Sequence, residues 1–189
     1  MAFNPKNLVK VFQTGNPFAD DPSDADAYYA AIGRIVVIWG RFEQMLEQTI
    51  SMMGHVPDAV TPQKPPPVAF IRKLDRLKEL CRDTPSLNCV HDHARAFASA
   101  AAILAPRRHR LTHANWQGFN RNASEPTVTF TNIQWGANAG DYDRQPVPLS
   151  ELNTLLSDIA QLSASLFDKV FNEVAHILVQ ASRKPSERA

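Results

Sequence analysis

From Leu152 to Leu178 apolar residues return every three or four positions: Leu152, Leu155, Leu156, Ile159, Leu162, Leu166, Val170, Val174, Ile177 and Leu178, with Phe167 and Phe171 widening the stripe. This recurrence matches the 3.6-residue period and keeps one face of a helix apolar along its whole length. Ser150 stands where an N-cap belongs, and at about 1.5 Å per residue the helix would span on the order of 45 Å. Such a helix cannot hide its apolar face alone. The rest of the chain must supply helices that cover it.

Three further segments carry the same signature. Ile32, Ile35, Val36, Trp39, Phe42, Leu46 and Ile50 form a stripe reaching Met53, preceded by Ser23 and Asp26 in the spacing of a capping box. Gly54-His55-Val56-Pro57 stops this first helix, and Pro65-Pro66-Pro67 forbids helix in the connection that follows. Phe70, Ile71, Leu74, Leu77, Leu80 and Cys81 define the second, with Arg72, Lys73, Arg76 and Lys78 read as a solvated face. After the turn Asp83–Ser86, a third helix begins near Cys89 or Val90 and runs through an alanine-rich middle, with Pro106 expected to kink or restart it.

Between the third and fourth helices the composition changes. Thr127 to Trp135 is rich in β-branched and aromatic residues, and Asn120–Ser124 before it reads as a turn, which predicts a hairpin with Trp116–Phe119. A loop from Gly136 to Asp143 leads to Ser150. The expected fold is all-α: an antiparallel four-helix bundle with a small β-hairpin inserted between helices three and four. One domain over residues 23–182, with the insertion at about 116–136, is preceded by an irregular arm (1–22) and followed by a polar tail (183–189).

A formal charge of +1 excludes a surface that is basic throughout, so a polyanion would have to meet a local cluster. Cys81 and Cys89 are too few for a disulfide framework, and no apolar run reaches transmembrane length, which places the expected location in the cytoplasm. In that compartment Asn122-Ala123-Ser124 is a chance sequon. The local cluster is Arg107-Arg108-His109-Arg110-Leu111-Thr112-His113, at the end of the third helix. The stripe Phe97, Ala101, Leu104 meets Arg108 at its next position, so a cation falls where a core residue is expected. A half-buried guanidinium needs a carboxylate, backbone or phosphate partner. Glu43, close to the buried stripe of helix one, is the candidate.

Arg108-His109-x-x-x-His113 resembles the motif of the HEPN (higher eukaryotes and prokaryotes nucleotide-binding) superfamily: an arginine, a polar residue, three spacers and a histidine. The wording Arg110-Leu111-Thr112-His113-Ala114-Asn115-Trp116 is similar to that of prokaryotic members, and so is Gly33-Arg34-Ile35-Val36 leading through Trp39 and Phe42 to Glu43. The likeness covers residues 25 to 180 in architecture and a few positions in motif. It implies a metal-independent endoribonuclease of toxin or defence type, with Arg108 and His113 as the catalytic pair and His109 as the catalytic candidate in the second position, where asparagine is commonest and where it either bonds a backbone group or shares proton transfer. It also implies a homodimer, because such motifs often meet in pairs and this chain has one.

The chemistry suits those residue types. Attack of a ribose 2′-hydroxyl on the adjacent phosphorus needs a proton removed, a proton donated and extra phosphoryl charge held. Histidine does the first two near neutral pH, and arginine clamps phosphate oxygens in bidentate fashion. Arg107, Arg110 and Trp116 are placed as substrate-binding residues, Glu43 as a supporting one, and no cofactor is expected. His91 and His93, two apart on a helix, point away from each other and make no metal site. A second function stays open: a non-catalytic module that binds nucleotide, RNA or a protein such as an antitoxin, with Arg108 serving structure or phosphate binding.

Overall fold

The computed structural model of the chain describes residues 25–59, 67–113, 115–120, 124–133 and 142–183, with the backbone alone at 115–120, 131–133 and 142–144. The N-terminal arm, the Ser23 cap, Trp135 and the tail beyond 183 lie outside the described residues. The elements run α1 (Ala25–Met53), α2 (Phe70–Asp83), a 3-10 helix (Pro85–Val90), α3 (His91–His113), β1 (Asn115–Asn120), β2 (Thr127–Ile133), β3 (Tyr142–Pro148), α4 (Leu149–Leu166), a π turn (Phe167–Phe171) and α5 (Asn172–Ser182). The described chain is mostly helical, with a small antiparallel sheet.

α1 packs on α2 and along α4, and α3 fits between α2 and α4. The α1 core row is Tyr28, Ala31, Ile35, Trp39, Phe42, Leu46 and Ile50. Val36, read as part of that stripe, is exposed instead, because Ile35 and Trp39 set the buried direction and Val36 lies about 60–100° from them. Phe42 sits at the centre: its ring meets Trp39 at 5.2 Å, Phe97 at 5.6 Å and Phe70 at 6.0 Å between centroids. These tilted pairs join three helices in one aromatic cluster.

α4, the π turn and α5 form one continuous rod from Leu149 to Ser182. The sequence pattern explains the π turn. Leu162, Leu166, Val170 and Val174 follow one another at four-residue steps, and each such step drifts about 40° around an ideal helix. A wider π turn takes up that drift, so Leu166, Val170 and Val174 all stay fully buried. Phe167, expected to widen the apolar stripe, stands 44% exposed and stacks on Phe171 at 5.5 Å.

The expected hairpin pairs as β1 with β2 (Trp116 opposite Phe130, Phe119 opposite Val128), and a third strand extends it. β3 occupies part of the predicted loop and pairs antiparallel with β2, Val128 opposite Val147 and Thr129 opposite Pro146. Val128, Phe130 and Val147 turn inward to the core. The helix after β3 starts two residues early, with Pro148 at the N-cap position, and Ser150 is not its cap. Instead the Ser150 N–H and hydroxyl both donate to the Glu125 carboxylate, at 2.9 and 2.8 Å, which places a negative charge at the positive end of α4. Tyr28 closes the same corner: its hydroxyl donates to the Pro126 carbonyl and accepts from the Leu149 N–H.

Two local features give measurable expectations. Gly33 and Gly40 lie inside α1, exposed, with nothing within 4 Å of where a Cβ would stand. Each Gly→Ala change is therefore expected to stabilise the fold by about 0.5–1 kcal/mol in urea titrations, by relieving the helix penalty of glycine without a clash. Cys81 is buried and Cys89 exposed, and burial pushes the Cys81 thiol up to about 12. A disulfide-exchange reagent at neutral pH is expected to titrate Cys89 alone in the native protein and both cysteines after denaturation.

Candidate functional site

α3 runs unbroken through Pro106 to His113. Proline removes one helical hydrogen bond, leaving the Ala102 carbonyl without its donor. Pro106 and Ala102 both face solvent, where water satisfies that oxygen, so the expected restart does not occur. Near the helix end the Thr112 hydroxyl lies 3.3 Å from the Arg108 carbonyl oxygen and 3.2 Å from that of His109, positioned to donate to either. A continuous helix then distributes the cluster over three directions.

Arg108 takes the inward direction. It follows Leu104 on the buried row, and its guanidinium carbon stands 5.7 Å from the centroid of the Trp39 ring. The contact is a cation–π pair on the rim of the aromatic cluster. Arg108 Nε is buried with no hydrogen-bond partner, and among the described residues the guanidinium has no carboxylate. Glu43, the candidate partner, is engaged elsewhere: its carboxylate and that of Glu47 both accept from the Lys73 ammonium at 2.5 Å. The pairing follows from α2, which presents Lys73 in one row with Leu77 and Leu80 and so carries it under α1.

Arg107 and Arg110 point to the opposite side. Arg107 pairs with Asp158 of α4 at 3.1 Å, and Arg110 donates to the Gln145 side chain on β3. Together with Leu111, Val147, Glu151, Leu152 and Leu155 they line a small groove between α3, β3 and α4. These two arginines tie the helix end to the sheet and to α4. The side chain of Trp116 lies outside the described residues.

His109 and His113 take the third, outward direction. They are exposed, and their rings lie 4.3 Å apart between centroids at an interplanar angle of 39°. Within this single chain Arg108 and His113 are thus not brought together; they sit about 140° apart on the helix. His109 and His113, by contrast, form a pair on one face, as their four-residue spacing predicts, and of the two roles open to His109 the exposed ring suits shared proton transfer. His91 binds its neighbour Asp92 at 3.1 Å, and among the described residues no three metal-ligating side chains gather.

Lys73 is the site residue that sequence reasoning missed. It is almost fully buried, 3% exposed, in a helix whose charges were all read as solvated. Its signal was present in the one lysine sharing a row with Leu77 and Leu80, opposite two acids one turn apart on α1. Desolvation acts to lower its pKa, but the hydrogen bonds and charges of Glu43 and Glu47 outweigh it, so the value rises above the ordinary lysine range.

No protein-family model matches the chain, and neither a curated protein nor a solved structure matches it. Among the described residues no helix is long and apolar enough to cross a membrane.

Proposed function

We propose that the chain is a HEPN-like helical bundle acting as a metal-independent endoribonuclease through the end of α3. The observation carrying this reading is the exposed His109–His113 pair on the same helix end as a half-buried Arg108 that meets no carboxylate among the described residues. An arginine that meets no anion among the described residues is available to a phosphate, and a pair of accessible imidazoles supplies proton transfer. In the reaction, one imidazole of the His109–His113 pair takes the proton of the attacking 2′-hydroxyl and the other gives a proton to the departing 5′-oxygen. The new bond joins the 2′-oxygen to phosphorus, the bond to the 5′-oxygen breaks, and the products are a 2′,3′-cyclic phosphate and a 5′-hydroxyl. Arg108 holds the charge that builds on the phosphoryl oxygens.

The angular separation of Arg108 and His113 favours completion of the site by a second copy, which brings its own Arg108 or His113 to the same phosphate. A homodimer of toxin or defence type, held in check by an antitoxin partner and acting in the cytoplasm, follows from this reading. One observation favours a second reading: Arg108 lies against Trp39 on the core side of α3. In that case the domain is a non-catalytic module that binds nucleotide, RNA or a protein, and Arg108 belongs to its fold.

Incubation of the purified protein with mixed RNA in the presence of a chelator separates the two. Fragments ending in cyclic phosphate are the expected result. Intact RNA across messenger, transfer and ribosomal types, from a protein that is folded, would leave the binding module.

A further inference from the structure

The outward face at the end of α3 has a second chemistry. His109 and His113 are one helical turn apart on a continuous helix, and both are exposed. Their ring centroids stand 4.3 Å apart. Two imidazole nitrogens bound to one zinc at about 2.0–2.1 Å place the ring centroids on the order of 5 Å apart. The observed pair needs to open by less than an ångström, which two exposed side chains achieve by small rotations. Histidines at this spacing are a recurrent bidentate metal grip on helices, and neutral imidazole suits late first-row divalent ions.

The arginines around the pair do not oppose a cation as strongly as the sequence suggests. Arg107 is drawn off to Asp158, Arg110 to Gln145 and Arg108 to the face of Trp39. Among the described residues, the groups left on the free side are the two imidazoles. We infer that His109 and His113 form a two-histidine clip for a divalent transition-metal ion, zinc or nickel, whose remaining coordination positions are open to water. This binding does not depend on whether the protein cleaves RNA. If His113 moves protons during cleavage, as proposed above, zinc on the clip withholds its nitrogen and inhibits the reaction.

Zinc chloride is titrated calorimetrically into the metal-free protein, in a Cys89→Ser background that removes the exposed thiol. Saturable binding at one ion per chain is expected. His109→Ala and His113→Ala should each weaken it by about tenfold or more, while His91→Ala with His93→Ala leaves it unchanged. Both histidines are exposed, and an unchanged circular dichroism spectrum verifies that each variant is folded. Absence of saturation by millimolar zinc, or binding that survives both single substitutions, overturns the clip. Zinc that binds through the clip yet leaves RNA cleavage at its original rate upholds the metal site and instead removes His113 from proton transfer.

Discussion

Replacing His113 with alanine is expected to slow RNA cleavage in chelator by about 10²–10⁴-fold, the usual worth of one positioned acid or base. The fold should be unaffected. His113 ends α3 with its ring in solvent, and its one described ring contact is the tilted one with His109. Loss of cleavage with an unchanged urea midpoint would therefore assign a chemical role. Arg108 does not offer so clean an experiment. Removing its guanidinium also strips the edge of the Trp39, Phe42 and Phe70 cluster, so activity and stability would fall together. An Arg108 variant becomes interpretable only beside the His113 result. If His113→Ala cleaves as fast as the unmodified protein, proton transfer lies elsewhere and the binding-module reading gains.

The helices were legible because burial of a helix face imposes a period that composition cannot conceal. Ile35, Trp39, Phe42, Leu46 and Ile50 announce α1, and Leu152 through Leu178 announce the α4–α5 rod. What periodicity does not encode is direction at the margins of the stripe. Val36 and Phe167 satisfy the spacing yet face outward, since neighbours with larger buried areas fix the rotation of each helix. β3 was hidden for a different reason. Pro146 and Pro148 argue against a strand, but they stand two apart on an edge strand, so both ring nitrogens point away from β2 and cost no ladder bond.

The site was legible as a cluster and not as a geometry. Arg108 on the buried row of α3 was evident from Leu104 and Leu111, and its encounter with Trp39 was not. Which carboxylate an arginine meets depends on the relative rotation of two helices. Lys73 reached Glu43 first because α2 places it directly beneath α1. The same reach leaves Arg108 without an anion among the described residues, the observation on which the functional proposal rests.

Lys73→Met is expected to destabilise the protein by about 2 kcal/mol, read as a fall in urea midpoint at unchanged slope. The substitution keeps the length and most of the apolar stem but removes the ammonium of a residue only 3% exposed from two carboxylates. Glu43 and Glu47 are then left one turn apart with like charge. Their side chains are 27% and 43% exposed, so water softens the repulsion, and the expected loss falls below that of a fully buried ion pair. Glu47→Gln alone should cost well under half as much, because Glu43 continues to satisfy the ammonium. Adding Glu43→Gln and Glu47→Gln to Lys73→Met should recover most of the loss, since no unpaired charge remains. The pH dependence has a definite sign. Because the folded-state pKa of Lys73 is raised, its contribution is complete below the ordinary lysine value and is lost as pH climbs through the raised one. Stability of the unmodified protein should therefore decline more steeply than that of Lys73→Met on the far alkaline side. Parallel decline of the two would mean that Glu43 and Glu47 do not hold the Lys73 charge in solution.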